Sequence, residues 1–137
     1  MTFIKLYVAS LLIFSGLDFF WLGFIAKNLY RSQIGFLMAD DVRWVPAVCF
    51  YFIYLFGLTL FATLPALKSG NWLMTLFYGG AFGLVCYATY DLTNLATIRN
   101  WPGKIVVYDL VWGTFISGAT TFLTCMIANH WKLYFKF

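Results

Sequence analysis

Four unbroken apolar runs, at roughly 4–26, 45–67, 72–98 and 104–129, leave this chain little choice of fold. Each is close to the 20 or so apolar residues needed to cross a hydrocarbon layer about 30 Å thick. Inside that layer backbone amides must be bonded within the protein, so runs of this length fold as helices. A transmembrane barrel would show short segments of alternating polarity instead. The expected architecture is an all-α integral membrane protein, an antiparallel bundle of four transmembrane helices. It forms a single transmembrane domain over residues 1–137. Only 10% of the residues are charged, where a soluble domain carries about a quarter, so no soluble domain is expected beside the bundle.

The first run follows one early lysine, as a signal peptide would, but no small-x-small cleavage site follows it. It continues through Phe19, Phe20 and Trp21 to Ile25 and is read as the first helix of the mature chain. Cys49, Cys86 and Cys125 all lie inside helices and are read as buried thiols packing like small hydrophobes, not as a disulfide framework. The net charge of +4 points to anionic lipid head groups. No basic stripe interleaved with aromatics lies outside the spans, which argues against nucleic acid as a partner.

Between the first two runs, "NLYRSQIGFLMADDVRW" places Tyr30, Ile34, Leu37 and Met38 on one helical face. That pattern suits either a short helix lying on the membrane surface or an extension of helix 1. Asp40 and Asp41 then read as an N-cap region for helix 2, and Pro65 as its close. "KSGN" and "RNWPG" are the turns into helices 3 and 4. Lys5, Lys68, Lys132 and Lys136 fall on one membrane side, and Lys27, Arg31, Arg43, Arg99 and Lys104 on the other. That near-balance assigns no sidedness.

Gly79 and Gly83 form a GxxxG face on helix 3, and Asp109, Gly113, Ser117, Thr120 and Thr124 recur at helical spacing on helix 4. Close packing of these two helices within one chain is the first expectation, with a homodimer seam as the alternative.

Three of the five acids, Asp18, Asp91 and Asp109, lie inside spans. At 1.5 Å per residue all three fall roughly 7–14 Å below the same membrane face. Each would cost about 2.5–3.5 kcal/mol at the bilayer centre, so all are expected to face inward and find partners. Trp21 and Trp112 stand one turn beyond Asp18 and Asp109 and offer indole N–H donors. Near Asp91 are Tyr87, Thr93 and Asn94, with Arg99 two turns on, and Tyr51 and Tyr54 enter from helix 2. The lone His130 ends helix 4, which excludes haem ligation, a multi-histidine zinc site and a triad at the acidic layer. Three carboxylates and an amide oxygen could hold a hard divalent cation, but no metal motif is present and none is assigned.

"DFFWLG", "YDLTNLATIRNWP" and "DLVWG", with "YRSQIGFLMA" and "PAVCFYFIYLFGL" between them, resemble a bacterial inner-membrane family known as domain of unknown function 2177. The resemblance runs nearly end to end. It implies a small four-helix protein of the inner membrane whose site includes Asp18, Trp21, Gly23, Tyr90, Asp91, Asn94, Asp109, Trp112 and Gly113. It supplies no activity. Members are often encoded beside lipid-modifying enzymes, which implies lipid chemistry nearby.

Three classes of function follow. The acidic layer binds a proton, a cation or a small cationic solute, as in small transporters. Alternatively an aspartate serves as acid, base or nucleophile toward a lipid or other hydrophobic substrate. In the third class the acids are structural glue in an accessory subunit. The binding residues expected are Asp18, Trp21, Tyr90, Asp91, Asn94, Asp109 and Trp112, with membrane lipid as the surrounding partner and no cofactor assigned.

Overall fold

The computed structural model describes residues 2–134, and side chains as far as Trp131. Met1 and residues 135–137, which include Lys136 and the ends of the 1–137 domain, lie outside the described residues, as do the side chains of 132–134. Among the described residues four helices are long and apolar enough to cross a membrane: Thr2–Leu37, Trp44–Ser69, Trp72–Thr97 and Gly103–Trp131. They are called helices 1 to 4 below. Short connections make successive helices antiparallel neighbours. Lipid-facing positions are large and apolar, among them Ile4, Leu12, Phe24, Ile53 and Phe61.

Helices 3 and 4 share the largest interface, and its cause is steric. A Cβ added to Gly83 would lie 2.2 Å from the Gly113 carbonyl oxygen, and one added to Gly79 would lie 2.5 Å from Thr121 Oγ1. The GxxxG face is therefore filled from within the chain, by the small-residue stripe of helix 4. Helices 1 and 2 close over this pair around Phe14, Leu55, Leu58 and Ile116, all fully buried.

Two helices widen locally. Helix 1 is α-helical over Thr2–Phe20, takes a π-helical turn at Trp21–Ile25 and resumes as Ala26–Ile34. The amphipathic segment is thus an extension of helix 1. Leu29, Tyr30 and Ile34 pack on Trp101 in the turn before helix 4 and on Ile105 and Val106 at its start, while Leu37 and Met38 of the same sequence pattern are exposed.

Helix 2 has a π-helical turn at Thr59–Thr63 and then continues as Leu64–Ser69. Pro65 does not close it. A proline ring clashes with the carbonyl four residues back, here Phe61, and that residue sits inside the widened turn. The helix instead ends at Gly70, whose φ of +67° suits a residue without a Cβ.

Asn71 caps helix 3 by accepting from the Leu73 amide at 3.0 Å. Helix 2 begins at Trp44 behind Arg43 in an extended conformation, with no side-chain cap and no acid in its first turn. Asp40 and Asp41 are exposed in the loop before it, so the expected acidic N-cap does not form. The cysteines are free. Cys125 is buried as expected, but Cys86 is only half-buried and Cys49 lies on the outer surface of helix 2.

Candidate functional site

All three intramembrane aspartates are turned inward, with Asp18 9%, Asp91 0% and Asp109 6% exposed. Their supports come from other helices. Asp18, on helix 1, accepts from the Tyr51 hydroxyl of helix 2 and, at 3.4 Å, from Trp112 Nε1 of helix 4. Asp109, on helix 4, accepts from the Tyr30 hydroxyl in the extension of helix 1. Asp91, on helix 3, lies against Asp109, and no group other than that carboxyl stands as a hydrogen-bond partner for its oxygens among the described residues.

The tryptophans do not take the roles that spacing within each helix suggests. Trp112 stands one turn from Asp109 but donates to Asp18. Trp21 stands one turn from Asp18, but its buried Nε1 bonds to neither aspartate. The two indoles stack on each other, with centroids 4.5 Å apart and planes 10° from parallel. The widened turn begins at Trp21, so the helix changes pitch where its ring meets helix 4. Tyr87 packs over Gly113, where a Cβ would lie 2.2 Å from the ring.

Other expected members stay outside this enclosure. The ring of Tyr90 is 58% exposed and meets Trp101 edge-on at 6.0 Å. Asn94 is half-buried beside Tyr90, while Thr93 and Arg99 are exposed. Lys104 holds its ammonium 6.0 Å from the Tyr108 ring centroid. Gly23 has open space around it. The polar neighbours that the sequence offers Asp91, Tyr87, Thr93, Asn94 and Arg99, therefore make no hydrogen bond to it.

Tyr30 is the member that the sequence concealed. Its place among Ile34, Leu37 and Met38 suited either a helix on the membrane surface or an extension of helix 1, and neither reading brought it to the acids. Depth gave no signal, since Tyr30 lies three residues beyond Lys27, outside the first apolar run, while Asp109 lies five residues inside from Lys104.

Among the described residues no three His, Cys, Asp or Glu side chains are grouped so as to hold a metal ion. The layer is thus a carboxyl pair, Asp91 with Asp109, and a third carboxyl, Asp18, with its own two donors.

A family model described as a predicted membrane protein, domain of unknown function 2177, matches residues 3–126. The chain belongs to that family. The match takes in all four helices and every aspartate of the layer, so the domain of unknown function 2177 fold holds the whole site. Comparison with curated proteins and with solved structures gave no match.

Proposed function

We propose that this multi-pass protein of the bacterial inner membrane binds a proton at the Asp91–Asp109 pair and moves it through the bundle. The observation that carries this reading is the state of Asp91. It is fully buried, its oxygens have no donor among the described residues, and its neighbour is another carboxyl group. Two adjacent carboxylates cannot both stay ionised in a dry interior. One proton between them removes the repulsion and supplies the donor that Asp91 lacks.

Two features favour a proton over larger ligands. The indole faces that could cage an organic cation are turned on each other at 4.5 Å. The 0% exposure of Asp91 keeps its carboxyl away from a lipid substrate, which counts against an aspartate-dependent lipid enzyme.

The test is purified protein in liposomes carrying an internal pH-sensitive dye, with an imposed potential. Wild type should move protons, and Asp91→Asn should reduce the flux to that of empty vesicles. A wild-type chain that moves no protons, or whose dye response follows a change of sodium or potassium instead, overturns the reading.

A further inference from the structure

We infer that a file of buried hydroxyl groups joins the acidic layer to the opposite membrane face and serves as the proton's path across the bundle. This rests on the reading of the Asp91–Asp109 pair as a proton site. Along helix 4, Ser117, Thr120 and Thr124 follow Asp109 at about 12, 17 and 23 Å of rise. All three are fully buried. Ser117 Oγ pairs with the Tyr54 hydroxyl from helix 2, and Thr124 Oγ1 with Ser10 Oγ from helix 1 at 3.2 Å. In both pairs either oxygen can donate, as relaying a proton requires.

Between and beside these pairs stand three more hydroxyls, on Thr63, Thr120 and Thr121. Each is 0% exposed and has no hydrogen-bond partner among the described residues. Threonines in helices commonly bond the carbonyl four residues back, as Thr59 does with Leu55 at 2.8 Å. These three do not. Unpaired buried hydroxyls are costly, and ordered water is the usual remedy.

The file ends near Cys125, whose Sγ lies 3.7 Å from the Thr63 carbonyl oxygen. Cys125 also lines a cavity of about 150 Å³ at the far end of the bundle, with Asn71, Thr75 and Asn129. At the other end, Tyr54 contacts the Tyr87 ring, which packs over helix 4 at Gly113, one turn beyond Asp109. In each relay step a hydroxyl or water oxygen accepts one proton and releases its own to the next oxygen. Only O–H bonds form and break.

The experiment compares wild type, Thr120→Val, Ser10→Ala, Thr120→Ser and Asp91→Asn in the same dye-loaded liposomes. Infrared spectra and detergent melting are recorded for each. Thr120→Val is nearly isosteric and should melt like wild type and keep the protonated-carboxyl band, yet lose proton flux. Ser10→Ala should do the same, and Thr120→Ser should conduct. Wild-type flux in both Thr120→Val and Ser10→Ala overturns the file and leaves the acid pair standing. A carboxyl band unchanged by Asp91→Asn overturns the acid pair, and the file with it.

Discussion

Each carboxyl in this site depends on one or two identifiable atoms. Tyr51 donates to Asp18 and Tyr30 to Asp109, both across helices. Removing a hydrogen bond to a charged or strongly polar buried group costs about 1.5–3 kcal/mol. Tyr51→Phe and Tyr30→Phe should each lower the unfolding free energy in detergent by that amount, while the exposed Tyr90→Phe should leave it unchanged. Equal effects at all three positions would contradict the assignment of donors. Asp91 behaves differently. Breaking a buried ion pair by removing one partner costs about 3–5 kcal/mol. Among the described residues Asp91 has no cationic partner, since Arg99 is exposed beyond the end of helix 3 and Lys104 rests over Tyr108. Asp91→Asn should therefore melt at or above the wild-type temperature, because an amide N–H can donate to Asp109. A loss as large as that of a broken ion pair would show that the acids serve as glue.

The helices themselves meet through small residues on one side and widened turns on the other. The glycine face of helix 3 lies so close to helix 4 that a methyl group at Gly83 would overlap the Gly113 carbonyl. Forcing extra atoms into a packed seam costs about 1–3 kcal/mol, and more when backbone must move. Gly83→Ala should destabilise the bundle by at least that much, whereas Gly16→Ala, with nothing within 4 Å, should be neutral. Detergent melting of the two variants checks this, and similar melting would place the seam elsewhere. The turn at Thr59–Thr63 has a different origin. Proline is read from sequence as a stop, but a helix can pass through it by widening the preceding turn, and helix 2 does so at Pro65.

For the whole molecule, the number of helices and their approximate centres were legible in the chain, whereas helix 1 runs on to Leu37 and helix 2 continues past Pro65. Number and centres depend on run length and on a fixed rise per residue, which need no partner. Which groups touch was less legible, because it depends on how each helix is rotated against its neighbours. The spacing of Asp18 and Trp21, or of Asp109 and Trp112, suggests pairs within one helix. The bundle instead sends Trp112 to Asp18 and stacks the two indoles. The unpartnered state of Asp91 was hidden for the same reason, since Asn94 and Arg99 stand near it in sequence but turn elsewhere. What the bundle assembles is a buried carboxyl pair, placed to share one proton, at the head of a column of hydroxyls. Infrared spectroscopy of the purified protein, with wild type beside Asp91→Asn and Asp109→Asn, reads that proton itself. Wild type should show a protonated-carboxyl band that each substitution removes, because one proton is shared between the two groups. A wild-type spectrum without that band, or a band that persists in both variants, would contradict it.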